Sequence, residues 1–443
     1  MKRRTTLVSV GVALGLVLIS AGAVGIAVHD RSDTGSEFAP IVAGQSIALQ
    51  GRVPGESVGA LIERLKARVE GTPNDYVSWA TLGFAYVEQS RITADPSLYI
   101  NADEALARSL EINDIDNFTA YTGLAAVAAA RHDFANAERY ALTGLEINSA
   151  SASLYGILSD AQIQLGKYDE GFESVQRMVD LSPDTASLSR VSYTHELTGD
   201  VAEAEAVMRR ALDDAPTNND RAFTLFHLGE LALGEGDPDT ALGFYLQALE
   251  LAPDNVAALS GKAHALGVTG QVLTSIDTYD LLVEKAPLAH FLIEYGNFLE
   301  VHGMTAQAGV LYERARATIA VDTANGVRTD PGIIFFEADH GDSNTALLLA
   351  QKGLEEGPFF EMYEALAWAL YMNGRYGEAL DAVKQAQEIG IRDAQLYVRS
   401  ALIYEALGDH ENALSDLRVA RDIDQYVSLP AATELLAELE SVT

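Results

Sequence analysis

The 443-residue sequence contains no cysteine. That absence excludes disulfides, thiol nucleophiles, cysteine-ligated zinc, c-type haem attachment and a lipid-modified N-terminal cysteine. Basic residues are scarce. Thirty Lys and Arg stand against 64 Asp and Glu, a formal net charge of −34. A phosphate-backbone binder needs a clustered Lys/Arg surface, so nucleic acid is not an expected partner. Of nine histidines, no two lie three or four residues apart, so a helical pair of metal ligands is missing. There is no glycine-rich phosphate loop and no Gly-x-Ser-x-Gly elbow. Carboxylates are abundant but spread over helix surfaces. The expectation is a protein that is not an enzyme and holds no metal or cofactor.

What is present starts at the N-terminus. Lys2, Arg3 and Arg4 precede an uncharged apolar run of 22 residues, Leu7 to Val28. As a helix it would span about 33 Å, and a bilayer core needs roughly 20 such residues. The cationic start should stay in the cytoplasm and the remainder should be exported. Ala21-Gly22-Ala23 also fits the small-x-small cleavage pattern. Residues 1–29 therefore read as a transmembrane signal-anchor or a signal peptide. The expected location is the cell membrane, single-pass with the remaining chain outside the cytoplasm, or alternatively secretion after cleavage. Residues 30–54 mix Ser, Gly, Pro and polar residues without helical period and read as a linker. Residues 55–443 form the domain. It opens with an amphipathic helix, Ser57 to Glu70, that puts Val58, Leu61, Ile62, Leu65 and Val69 on one face.

The domain repeats itself. Gly166-Lys167, Gly199-Asp200, Gly374-Arg375 and Gly408-Asp409 each pair a glycine with a polar residue, and a small residue follows five positions after the glycine. That small position recurs at Ala102, Ala137, Gly171, Ala204, Ala241, Ser275, Ala308, Ala346, Ala379 and Ala413, at spacings of 33 to 38 residues. Twelve residues further stand Pro183, Pro216, Pro253, Pro287 and Pro358. Proline there stops the preceding helix. The first repeat has extra residues around Asp95-Pro96, and the fifth near Asn218-Asn219. The eighth is most irregular, with Asn325-Gly326 and Asp330-Pro331, and its first helix should be short or broken.

With Trp79, Leu82-Gly83, Tyr86 and Ala102 in the first unit, and Leu228-Gly229, Gly236, Ala241, Tyr245, Ala248 and Pro253 in the fifth, the chain resembles the tetratricopeptide repeat family. The resemblance covers residues 75–425. It implies an all-α fold: a right-handed α-solenoid of about ten helix pairs. A C-terminal capping helix is expected over 429–441. Small residues let neighbouring helices approach, and large ones such as Tyr245 fill the space between repeats. Each unit should lean on its neighbours, with no single globular centre. The stretch from Ile333 to Val427 also looks like the C-terminal part of bacterial exported repeat proteins, which speaks to location only.

In this family the first helices line a concave surface that holds extended peptides or helices. Carried onto this chain, that surface would comprise Asp160, Ile163, Tyr193, Glu196, Phe226 and Glu230. It continues with His264, Asn297, Glu300, Trp368 and Tyr371. The set has four acidic residues and no Lys or Arg. Of the family's Lys, Arg and Asn carboxylate clamp only Asn297 remains. An acidic, aromatic groove should prefer a basic or apolar segment. Tyr121, Tyr155, Tyr363 and Tyr397 align with Trp79 as packing residues. His340, beside Asp339 and Asp342, reads as a turn or cap residue, as do His132, His302 and His410. Asn117-Phe118-Thr119 matches a glycosylation acceptor.

The leading expectation is an extracytoplasmic protein–protein interaction scaffold, tethered through its N-terminal helix. The alternative is an assembly factor. Ile62 to Arg68, leading into the Trp79 repeat, looks similar to exported repeat factors of cytochrome-c maturation, which present a client. An enzyme would need a site in the insertion between Asp322 and Asp342.

Overall fold

The computed structural model describes residues 56–93, 95–426 and Leu435. The apolar run, the linker and all of the expected capping helix except Leu435 lie outside the described residues. Leu435 is helical and buried against the C-terminal core.

A single helix, Val58–Gly71, precedes ten helix pairs. The first five are Tyr76–Thr93 with Leu98–Ile112, Phe118–Ala130 with Phe134–Ile147, Ala152–Gln164 with Tyr168–Leu181, Thr185–Leu197 with Val201–Asp214, and Asn218–Gly234 with Pro238–Leu251. The second five are Val256–Val268 with Val272–Lys285, Ala289–Val301 with Thr305–Ala324, Pro331–His340 with Ser343–Glu356, Phe360–Met372 with Tyr376–Gln387, and Ala394–Ala406 with His410–Ile423. The eighth repeat's first helix has only ten residues, as its Pro and Gly content predicts.

The Gly-polar signature is a helix stop joined to a helix start. Gly199 sits at φ 77°, a conformation that suits a residue without Cβ. The Asp200 N–H closes the first helix on the His195 carbonyl at 2.8 Å. The Asp200 side chain then accepts from the Glu203 N–H, capping the second helix. In the second repeat His132 takes the glycine's place at φ 58°, and Asp133 is the cap. All ten small positions are buried. Space is so tight that a Cβ on Gly83 would lie 2.5 Å from Leu106 Cγ, and one on Gly261 would lie 2.5 Å from the fully buried Tyr245 ring. The opening helix buries Leu61, Ile62, Leu65 and Val69 against the first repeat, ending the stack with a polar outer face.

The structure departs from nearest-neighbour packing in one respect. The turn inside each of repeats two to five abuts a segment six repeats later. The Arg328 N–H donates to the Arg131 carbonyl at 3.0 Å. A Cβ on Gly166 would lie 2.5 Å from the Pro358 carbonyl oxygen, and one on Gly199 would lie 2.5 Å from that of Gly390. Gly236 packs against Asp424. The solenoid therefore completes a superhelical turn in six repeats and seats the next turn directly on it. Ile163, Tyr193 and Leu197 share one core with residues of repeats eight to ten. Each unit leans on its neighbours, and the two turns add contacts between repeats far apart in the sequence. The irregular loop at 325–330 is one of four segments that reach back across the turns, with those at Pro358, Gly390 and Asp424.

Along the inner face Ile163, Tyr193, Phe226 and Trp368 are buried, whereas Asp160, Glu196, Glu230, His264, Asn297, Glu300 and Tyr371 are half-buried.

Candidate functional site

The inner face is built by the first helix of each pair. In the fourth repeat, Arg190, Tyr193 and Glu196 follow one another at three-residue spacing, so they share one helix face. Arg190 grips Asp160 with two hydrogen bonds of 2.9 and 2.7 Å. Tyr193 is buried and packs with Ile163 into the shared core. Glu196 faces Glu230 from the next repeat and Asp393 from the next turn. Burial and these two like charges push its carboxyl up to about 8.

In the fifth repeat Phe226 is buried against Tyr245, with ring centres 6.1 Å apart. The Tyr245 hydroxyl donates to Glu230 at 2.5 Å. Burial raises the Glu230 carboxyl to about 7. His264 of the sixth repeat lies 3.9 Å from Glu294, and burial lowers it to about 4, so it stays neutral. Glu294 accepts from the Ser260 hydroxyl at 2.7 Å and the Tyr279 hydroxyl at 2.8 Å.

The seventh and eighth repeats form a tighter network. The Tyr312 hydroxyl lies 2.9 Å from both Asn297 Oδ1 and Glu300 Oε2. His340 Nε2 is 3.0 Å from the same Asn297 oxygen, and its ring stacks on Tyr312 at 4.3 Å. His340 thus ends a helix and packs inward, which corrects its reading as a turn or cap residue. His132 does occupy a turn.

Trp368 is corrected more strongly. It is fully buried, donates through Nε1 to Asp339 at 2.8 Å, and stacks on Tyr371 at 4.9 Å. It is core, with no surface to offer in this conformation. Tyr371 is half-buried and also leans on Tyr376.

The reading that the inner face lacks cations is also corrected. Arg190 and Arg399 are both buried there. Arg399 pairs with Glu364 and lies over the Phe335 and Trp368 rings. Glu361, one turn from Glu364, is buried with its Oε2 unpartnered. A usable signal for the arginines exists. Oppositely charged residues recur about one repeat apart, as in Asp160 with Arg190 and Glu364 with Arg399, 30 and 35 residues apart. Lys167 with Glu138 and Lys285 with Asp254 follow the same rule at 29 and 31.

Asn117 is buried. It caps its helix by accepting from the Ala120 N–H, and its amide nitrogen donates to Ser109 Oγ at 2.7 Å. A sugar could not reach it in the folded chain. The packing tyrosines Tyr121, Tyr155, Tyr363 and Tyr397 are half-buried. Among the described residues no group of three or more His, Asp or Glu could hold a metal. Among them, too, no helix is long and apolar enough to cross a membrane.

Family models described as tetratricopeptide repeat match residues 184–254, 226–290 with 337–394, and 394–424. The chain is a tetratricopeptide repeat protein. It is similar in structure to a tetratricopeptide repeat protein from Parabacteroides merdae, at 21% identity over 58% of this chain and 98% of that one, with a TM-score of 0.33. The anaphase-promoting-complex assembly Cut9–Hcn1 aligns at 15% identity over 90% and 92%, with a TM-score of 0.41. Yeast Tom70 aligns at 12% over 87% and 95%, with a TM-score of 0.34. No curated protein matches the chain. Tetratricopeptide repeats make this a protein–protein interaction scaffold.

Proposed function

We propose that this tetratricopeptide repeat protein captures a basic segment of a protein partner on the acidic inner face of its first helices. The supporting observation is the row Glu196, Glu230, Glu361 and Asp393. Glu361 is buried and the other three are half-buried; taking carboxylates even partly out of water costs free energy, and a face meant only for packing would be apolar. Half-buried Tyr371 flanks the row and would supply apolar contact, with Tyr193 and Phe226 buried beneath it, while Asp160, His264, Asn297 and Glu300 extend its polar edge. Trp368 supports this surface from behind.

The apolar run at Leu7 to Val28 supports a location outside the cytoplasm, held at the membrane or released by cleavage. The alternative, an assembly factor resembling the repeat modules of cytochrome-c maturation, would present an exported client on the same face. The segment Ile62 to Arg68 is accounted for as the helix that closes the first repeat.

The test is crosslinking in native cells with a tag at Thr443, comparing the native chain with Glu196→Gln/Glu230→Gln. The expected result is a reproducible exported or membrane partner, crosslinked through a Lys/Arg-rich segment to the inner face and lost in the variant. A partner retained equally by the variant, or captured through the outer helices, would contradict the reading.

A further inference from the structure

The two superhelical turns meet along a seam held by few polar contacts. Arg328 pairs with Asp133 at 2.9 Å. Arg392 pairs with Glu235 at 3.0 Å. The Phe360 N–H donates to the Tyr168 hydroxyl at 2.8 Å. Behind these clips, carboxylates face each other across the seam. Glu196 and Glu230 come from the first turn. Glu361, Glu364 and Asp393 come from the second, with Asp330 also near. The cations around them are committed: Arg190 to Asp160, Arg399 to Glu364 and Arg392 to Glu235. Tyr168, Tyr193 and Tyr245, each raised by burial, and Glu294 beside Glu230 are further titratable groups facing the cluster. Closure thus brings Glu196, Glu230, Glu361 and Asp393, none of them in an ion pair among the described residues, beside Glu364, which Arg399 pairs.

The part of the chain that would have to flex is also identifiable. Between the sixth and eighth repeats the helix backbones approach one another least closely. Aromatic side chains space them: Tyr279 against Tyr295 and Phe298, and Tyr312 against Phe336. Tyr279 stacks on Tyr295, while the Phe298 and Phe336 rings meet their partners at 42° and 54°; a junction made by side chains rather than by close backbones suits a hinge of the shear type.

We propose that the seam is a releasable latch: parting the two turns exposes the inner face, and a cationic partner segment that neutralises its carboxylates holds the solenoid open. This rests on the acidic-face reading above and adds its regulation. The apolar contacts of Ile163, Tyr193 and Leu197 make the closed form the resting state. The clips set how often it opens. A partner that binds only the open form pays the closing free energy out of its own affinity.

The absence of cysteine makes the test clean. Thr198→Cys and Glu388→Cys place spin labels on two exposed positions flanking the Gly199–Gly390 contact. Distances are measured by pulsed electron resonance in the full-length chain. The expected result is a single short distance in the parent. A longer population should appear in Arg328→Glu/Arg392→Glu and vanish when Asp133→Arg/Glu235→Arg restores the pairs with reversed sign. Helical content by circular dichroism should stay constant throughout. Polylysine should bind the clip variant about tenfold tighter than the parent and should lengthen the distance in both. Labels that stay together in a folded clip variant overturn the latch. Labels that separate while polylysine binds neither form overturn the acidic-face reading and its cationic occupant.

Discussion

Gly199 and Gly270 hold the same position in the fourth and sixth repeats, at φ 77° and 78°. Locally they are interchangeable, yet their surroundings differ. A Cβ on Gly199 would collide with the Gly390 backbone of the next turn, whereas one on Gly270 would meet nothing within 4 Å. Gly166 matches the first case and Gly303 the second. The same contrast separates two stretches of the inner face. Asn297 and Glu300 of the seventh repeat stand where the ninth has Trp368 and Tyr371. The first pair is held by hydrogen bonds from Tyr312. Trp368 is sealed in the core that also takes in Ile163 and Tyr193. A repeat pattern thus specifies each unit, while the winding of the whole decides which copies become core.

The largest effect should come from Trp368→Ala, which removes a fully buried indole and costs about 3–5 kcal/mol of unfolding free energy. Tyr371→Ala, half-buried on its outer side, should cost about 1–2 kcal/mol. Urea denaturation measures both, and near-equal small costs would return Trp368 to the surface.

Next comes the glycine contrast. Gly199→Ala and Gly270→Ala both suffer the left-handed backbone, at about 1 kcal/mol. Gly199→Ala adds the collision with a backbone oxygen, for a total of about 3 kcal/mol. Equal midpoints for the two variants would break the contrast between seam and free turns.

A pH dependence should follow from the inner carboxylates. Glu196 and Glu230 titrate near about 8 and about 7 when folded, against 4.5 ordinarily. The folded chain therefore holds protons that the unfolded chain has lost, and stability falls as pH rises from about 4.5 towards 8. Buried His227 and His264, lowered to about 3 and about 4, act the other way, but only below 6.5. Between pH 6.5 and 8 the carboxylates act alone, so the melting temperature should drop. A rise over that interval would show that these groups are ionised at neutral pH.

The smallest effect is expected from Arg392→Ala. Its pair with Glu235 is partly exposed and should contribute no more than about 1 kcal/mol, less in high salt. A cost of several kcal/mol would mean that this one clip dominates the seam.

Ten helix pairs are legible in the sequence because their local causes recur in phase. The left-handed glycine, the capping aspartate, the small buried residue and the terminating proline each act within a few residues. The short eighth helix is legible for the same reason. The superhelical closure is not. Phe360 meets Tyr168 across 192 residues, and Arg392 meets Glu235 across 157, with no periodic signal to mark either pair. Hence Trp368 reads as a lining residue, because its helix face points inward and nothing in its own repeat reveals what covers it. Arg190 and Arg399 escape notice because a site built from acidic and aromatic residues does not prompt a search for their partners one repeat away.

Single-amide hydrogen exchange tests the two-turn closure most directly. Phe360 opens the ninth repeat, where the first N–H groups of a helix have no partner within it. Its amide is bonded instead to Tyr168 of the other turn, and the Arg328 amide to Arg131. Asn218 opens the fifth repeat and is exposed. The closed superhelix predicts slow exchange at Phe360 and Arg328 beside fast exchange at Asn218. Exchange as fast at Phe360 and Arg328 as at Asn218 would contradict it and leave an open solenoid whose turns do not touch.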